Sequence, residues 1–349
     1  MDNTKKIFRE IKADGMLTGA ADLRAYLTGF QSSFGFVYTD AQESILFTDP
    51  RYAEGAKNAL KGEYIGVAVA KNEESVLEYI KSKKVKKLAV PLNRILWSEY
   101  ARLHKLFKLV DSLPAFTDAM AIKSEQEIEA IRQACAIAES AFSVFLGDLK
   151  EGMTENEAAG YLEYLMRKFG AQDRSFETIV AFGKNSSVPH HASDDTPLCK
   201  GMPVLVDFGC KVSGYCSDMT RTVWFGGKPD AEFNSVYNAV YDAHMLAKEK
   251  IASGMKGKEA DAIARNCLQK QNLDKFFTHS LGHGIGINIH EYPTLSPNGE
   301  GVLKDGMVFS IEPGVYFEGK FGIRIEDSVL LQDGRVESFM KTEKKLTVL

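Results

Sequence analysis

Several familiar signatures are missing from this 349-residue chain. No apolar run approaches the roughly 20 residues needed to cross a bilayer, which excludes a helical membrane protein. The N-terminal stretch MDNTKKIFREIKADG is charged and holds no apolar core, so no secretory signal is expected. Positive charge is not in excess: the net charge is −4, which disfavours a nucleic-acid or anionic-membrane partner. The run Lys81, Lys83, Lys84, Lys86, Lys87 has no interleaved aromatic residues and reads as a solvated helix end. The five cysteines include no C-x-x-C pair. Cys210 and Cys216 fall on opposite faces of a regular ladder, so reduced, partly buried thiols in a cytoplasmic protein are expected.

Catalytic signatures of other classes are absent too. There is no G-x-x-x-x-G-K-[ST] loop for nucleotide phosphates. The segment Gly282-x-Gly284-x-Gly286 is not G-x-G-x-x-G and lacks the helix and acid that should follow a dinucleotide loop. Ser280 lies near two histidines, but G-x-S-x-G is missing, so a serine nucleophile has no support.

What remains is the composition of an ordinary globular protein, 44% hydrophobic and 26% charged, with length for two domains. Residues 1–118 read as an α/β unit. Strands are expected at 35–38 and 44–48 about the turn Asp40-Ala41-Gln42-Glu43, helices at 52–60 and 73–81, and a strand at 86–90 closed by Pro91. Residues 119–349 form the second domain. Ser124-x-x-Glu127 is a capping box that opens a long amphipathic helix, with Ile128, Ile131, Ala134, Cys135, Ala138, Ala141, Phe142 and Phe145 on one face. Thr154-x-x-Glu157 repeats the signature before 158–169. Helical patterns recur at 233–251 and 258–271. The order helices–hairpin–helices–hairpin is a coarse internal repeat, and the fold class is α+β.

Two stretches carry the chemistry. In Val204–Phe225 an apolar run delivers Asp207, a Gly-containing turn follows, and Asp218 opens a second β-branched run. A turn centred near Val212-Ser213 sets the two acids face to face; one residue later they become diagonal neighbours on one face. In the second stretch, Val308–Ile311 delivers Glu312 and Ile323–Ile325 delivers Glu326, and reflection about Gly319 sets the two glutamates opposite each other. Like charges converging beside apolar strands repel unless one takes a proton or a cation sits between them. Two such pairs suggest a dinuclear metal site. Any single acid could instead be an exposed strand-end residue paired with Arg221 or Arg324.

Of the seven histidines, His104 and His244 fit helical patterns and read as structural or exposed. His190, His191, His279, His283 and His290 fall in loop-like stretches beside the acid hairpins. His283 sits between Gly282 and Gly284, whose bare backbones permit the close approach that a metal-bound imidazole requires. Four carboxylates and one imidazole make an oxygen-rich set that suits Mn²⁺, Co²⁺, Fe²⁺ or Zn²⁺ better than a thiolate site would, without choosing among them. Two such ions bridge a water and lower its pKa towards neutrality, giving a nucleophile for amide or ester hydrolysis.

The segments VLVDFG, SDMTRTVWFG, SLGHGIGINIHE, SIEPGVY and GIRIEDSVL resemble those of the proline-specific metallopeptidases, aminopeptidase P and prolidase (Xaa-Pro dipeptidase), of the pita-bread fold. The likeness extends to Met120–Ser124 and to LFTDPRY at 46–52, and so covers nearly the whole chain. It implies a smaller creatinase-like α/β N-terminal domain ahead of a pita-bread catalytic domain. It also implies two divalent ions held by Asp207, Asp218, His283, Glu312 and Glu326, with Asp218 and Glu326 serving both. Glu312 is then the proton acceptor for the attacking water, His190 and His290 the substrate-facing histidines, and Arg324 the arginine between the acids. His279 would shape the proline pocket. The implied activity is hydrolysis of N-terminal Xaa-Pro peptides by a homodimer. The rivals are a non-catalytic pita-bread binding module and a creatinase-like, metal-free amidinohydrolase; the complete ligand set argues against both.

Overall fold

Short apolar runs in the first third of the chain, most of them buried along their length, build one sheet. In the computed structural model, which describes residues 3–349, six strands lie in the order Gly66–Val69, Ser44–Thr48, Phe36–Thr39, Gly15–Thr18, Lys87–Val90, Lys108–Asp111. The hairpin Phe36–Thr39/Ser44–Thr48 turns where expected, because the Asp40 carboxylate accepts the backbone N–H groups of Gln42 at 2.8 Å and Glu43 at 2.9 Å. Asp49 caps the helix Pro50–Ala59, with proline at its first position, where no N–H is required. Glu73–Ser82 packs Val76, Leu77 and Ile80 against Leu17, Tyr38, Phe47 and Leu88 in the core of this unit. The lysines between 81 and 87 are exposed.

The chain divides into two units, Met1–Met120 and Ala121–Leu349. In the second, the Ser124 capping box forms as its spacing requires, and the helix Glu125–Asp148 buries every residue of the predicted apolar face. Thr154 and Glu157 cap Glu155–Lys168 in the same way. Asp230 caps Ala231–Lys250, and Gly257–Gln269 completes the second helix pair. The last two helices begin a residue or two before their apolar pattern does, because capping rather than hydrophobicity sets a helix start.

The first hairpin pairs Met202–Phe208 with Met219–Phe225 and tightens through Cys210–Val212 and Tyr215–Cys216. Its tip is Ser213-Gly214, both at positive φ (50° and 82°), the turn that matches strand twist. Asp207 therefore faces Thr220, and Asp218 is its diagonal neighbour, the later of the two turn centres. In the second hairpin, Gly314–Phe317 pairs with Phe321–Arg324 about Gly319, and Val308–Ile311 pairs with Asp327–Gln332 in the same register. Glu312 and Glu326 lie in the gap between these ladders. There the N–H of Glu312 donates to Leu281 O and that of Glu326 to Thr220 O.

Each helix pair covers one hairpin. Phe142, Phe145, Leu162 and Met166 pack on Val204, Val206, Phe208 and Val223; Val240, Ala243, Ala264 and Leu268 pack on Phe309, Ile311, Ile323 and Val329. The expected internal repeat is thus a repeat of packing, and the α+β, pita-bread arrangement is present. Among the described residues the cysteines are all free. Cys135, Cys210 and Cys216 are fully buried rather than partly so. Cys210 Sγ reaches Ala134 O and Cys216 Sγ reaches Ile287 O, on separate elements. His104 is exposed on its helix and His244 is fully buried, its Nδ1 3.1 Å from Ile311 O.

Arg221 does not pair with the acids of the hairpins. Its Nη2 donates to the buried Asp327 at 2.8 Å, and its Nη1 to the carbonyls of Thr220 and Glu326, bracing one hairpin against the other. Asp327 also accepts from Ser338 Oγ and Lys344 Nζ. Burial alone would raise its pKa, but Arg221, His244 and Lys344 hold it far below the usual carboxylate range. A depressed carboxylate pKa stabilises the fold above the ordinary Asp range, and that contribution fades as pH falls below it. Arg221→Met is expected to cost roughly 3–5 kcal/mol, since it leaves a buried charge short of its main partner. Urea titration at pH 7 checks this, and a loss under about 1 kcal/mol would contradict it.

Candidate metal centre

Alternation places five side chains at one point. Asp207 ends its strand run beside Asp218, and the hydroxyl of Ser328 holds Asp218 in place by accepting its N–H at 3.1 Å and donating to its carbonyl at 2.8 Å. His283 lies not in a loop, as its glycine-rich surroundings suggest, but on the short strand Gly282–Gly284, at a bulge. The glycines are needed for contact: a Cβ on Gly282 would meet the carbonyl of Ser310, and one on Gly284 the carbonyl of Tyr292.

Hydrogen bonding fixes the proton on His283. Its Nδ1 donates to the carbonyl of Gly284 at 3.2 Å, which leaves a lone pair on Nε2. That lone pair faces Asp218 Oδ2 at 3.6 Å and Glu312 Oε1 at 3.4 Å. Burial, then the charge of His290, pushes the His283 pKa down to about 4, so the ring is neutral at pH 7 and offers no cation to these acids. One ligand atom each from Asp218, His283 and Glu326 lies within 4.8 Å of the others.

The acids are crowded and dry rather than exposed strand ends. Asp218 and Glu326 are 5% and 2% exposed, and both pKa values are driven well up, first by burial and then by the neighbouring carboxylates. Glu312 rises to about 8, with burial the main cause and Arg324 opposing it. Asp207 Oδ2 accepts from Arg324 Nη2 at 2.6 Å, yet among the described residues its buried Oδ1 has no hydrogen-bond partner. An orphaned carboxylate oxygen, a neutral imidazole lone pair and three carboxyls driven towards their protonated forms fit a divalent cation, which would satisfy all of them together. Arg324 lies between the acids through two routes. It binds Asp207 directly, and its Nε donates at 3.0 Å to Thr220 Oγ1, which in turn donates to Glu326 Oε2 at 2.6 Å.

The other histidines surround this cluster. His279 Nδ1 donates to the carbonyl of Ser280 at 2.9 Å, so its Nε2 accepts the hydroxyl proton of Tyr316 at 2.8 Å. Tyr316 oxygen accepts in turn from Arg324 Nη1 at 2.7 Å. Burial and then Arg324 push His279 down to about 3. His290 stacks edge-on to His283 with ring centroids 4.3 Å apart, and its pKa is lowered by burial and by His190. His190 is exposed, and its charge bears on both His279 and His290, which places it on the same side of the site. His191 turns away to Glu155.

Sequence reasoning passed over Thr220, Ser310 and Tyr316. Ser310 Oγ donates to Glu312 at 3.1 Å, two residues before it; Thr220 is two residues after Asp218. Period-2 alternation from the acids themselves would have put both on the site's face.

With no cation bound, Glu312, raised to about 8, largely keeps its proton at neutral pH, and burial and the neighbouring carboxylates drive Asp218 and Glu326 in the same direction. Adding a divalent cation to chelator-stripped protein in weak buffer is therefore expected to release about one proton or more per molecule. A pH indicator records it. Binding with no acidification would mean that the acids are already ionised.

Comparison with known proteins places this geometry. Residues 129–333 match metallopeptidase family M24, and residues 1–132 match the creatinase/prolidase N-terminal domain. The chain is 35% identical over 314 residues to the Xaa-Pro dipeptidase of Pyrococcus furiosus, covering 89% of this chain and 88% of that one. It superposes on an Xaa-Pro dipeptidase from Bacillus anthracis with a TM-score of 0.94 at 32% identity, over 100% of this chain and 99% of the other. An X-Pro aminopeptidase from Thermotoga maritima gives 0.94 at 33% identity, over 100% of both. The chain belongs to metallopeptidase family M24, with a creatinase/prolidase N-terminal domain ahead of its peptidase domain.

Proposed function

We propose that this protein hydrolyses the peptide bond between an N-terminal residue and a following proline, using two divalent ions held by Asp207, Asp218, His283, Glu312 and Glu326. The observation that carries the metal reading is the unprotonated Nε2 of His283 facing two carboxylates beside the orphaned Oδ1 of Asp207. Relatives along the full length of the chain are named for Xaa-Pro substrates, and this supports the substrate class. When bound, the ions supply Lewis acidity, for which Mn²⁺ and Co²⁺ suit the oxygen-rich ligand set.

The remaining work falls to side chains. Glu312 takes the proton of the attacking water. His290, kept neutral by its surroundings, holds a hydrogen bond at the scissile bond, and His190 does so at the carbonyl oxygen as it gains charge. Arg324 locks Asp207 and, through Thr220, Glu326, so that the acids keep one arrangement during turnover. A bond to proline nitrogen has no N–H, so an enzyme that must hydrogen-bond that group is handicapped. A site that acts on the carbonyl side has no such need. Among the described residues no helix is long and apolar enough to cross a membrane. A cytoplasmic homodimer is the form we propose, and light scattering tests the mass.

Ala-Pro, Ala-Pro-Ala and Ala-Ala-Ala, assayed with added Mn²⁺ or Co²⁺, test the substrate. Both proline peptides are expected to be cleaved far faster than Ala-Ala-Ala. Rapid cleavage of Ala-Ala-Ala with the other two untouched overturns the proline assignment, and cleavage of Ala-Pro alone makes the enzyme a dipeptidase.

Two variants separate the ligands from the histidines around them. Asp218→Ala is expected to abolish hydrolysis and lower the bound metal. His290→Ala should retain metal while turnover drops by roughly 10²–10⁴-fold, the range for lost proton-transfer help. Elemental analysis beside the kinetics decides, and metal loss in His290→Ala would reverse its assignment.

A further inference from the structure

Glu155 opens the helix Glu155–Lys168 and is fully buried, where a carboxylate is costly unless its lone pairs are filled. Four donors fill them. Oε1 accepts from the backbone N–H of Phe182 at 2.7 Å and from Asn185 Nδ2 at 3.0 Å. Oε2 accepts from His191 Nε2 at 2.7 Å and from the backbone N–H of Asp194 at 3.0 Å. Glu155, His191 and Asp194 lie close enough together to suggest a second cation site. With two N–H donors on each Glu155 oxygen, however, the charge is already matched, and the cluster is an anchor.

What it anchors is one loop. Phe182 ends the strand Ile179–Phe182, Asn185 lies in the turn Gly183–Ser187, and His191 and Asp194 lie on the return. His190 sits between them. Among the described residues no hydrogen bond holds the His190 ring itself, so its aim depends on the backbone to either side. On the opposite face the loop meets the site: Gly322 N–H donates to Ser186 Oγ at 2.9 Å, and Arg324 Nη1 donates to the carbonyl of Pro189 at 3.3 Å. The loop is clamped between Glu155 behind it and the Arg324 strand in front.

We propose that Glu155 is a positioning residue for His190: by gathering four donors from both arms of the loop, it fixes the backbone that aims the imidazole at the substrate. This rests on the role given to His190 above. Arg324 alone cannot supply the constraint, because it touches the loop at a single carbonyl, whereas Glu155 ties the outgoing arm to the returning one.

The test is a double-mutant cycle on the metal-loaded enzyme with an Xaa-Pro peptide, using Glu155→Gln, His190→Ala and the pair. Glu155→Gln keeps the size but turns one acceptor into a donor that faces other donors. A displacement of about 1 Å in a catalytic group costs about 10²-fold, so kcat is expected to fall by that order with metal content unchanged. In the His190→Ala background the same change should have little further effect, because residues acting through one group couple. Equal fold-losses with and without His190, or loss of metal, would overturn the proposal while leaving the role of His190 intact. Wild-type turnover in His190→Ala would instead remove the function assigned to His190, and this inference with it. If Glu155→Gln does not fold, His191→Ala, which removes one donor from a partly exposed position, takes its place in the cycle under the same criteria.

Discussion

Four carboxylates gathered around one imidazole lone pair are unstable unless something positive joins them, and the second domain is arranged around that conflict. Its strands deliver acids from two hairpins, and its helix pairs exclude water from behind each hairpin. The protein therefore maintains a cluster that is unfavourable when empty: Asp218 and Glu326 are driven towards their protonated forms, and among the described residues an oxygen of Asp207 has no hydrogen-bond partner. The instability is the source of affinity, since a bound cation relieves repulsion and desolvation together. The acids stay at this spacing because the hairpins are stitched to each other. Ser328 holds Asp218, Thr220 receives the N–H of Glu326, and Arg221 spans both hairpins.

Around the acids runs a directed chain of hydrogen bonds with only one consistent proton placement. Ser280 carbonyl fixes the proton on His279 Nδ1, so Tyr316 must donate to Nε2 and is left free to accept from Arg324, which then serves Asp207. The order depends on Arg324 being a planar fork with several donors, a geometry that a lysine ammonium does not reproduce. Neutral His279 and His283 follow from the same environment: burial disfavours their charged forms and outweighs the carbonyl that accepts from each Nδ1, which by itself favours the proton.

Much of this was legible in the sequence, because the signals were local. Capping boxes at Ser124 and Thr154, the apolar face from Ile128 to Phe145, and the two acid-bearing hairpins all depend on residues a few positions apart, as helix and strand periodicities do. The register about Gly319 could be counted, and the first hairpin lay within one residue of its count. Tertiary structure alone decided the rest. That His283 stands on a strand depends on the Ser310 carbonyl closing over Gly282, which lies far from it in the chain. That Arg221 serves Asp327, while Arg324 serves Asp207, depends on which face of a packed sheet each occupies. The burial of Glu155, and so the tie between His191 and a helix 36 residues earlier, is invisible to any local pattern. Periodicity fixes which side of its own element a residue occupies; only packing fixes what lies opposite.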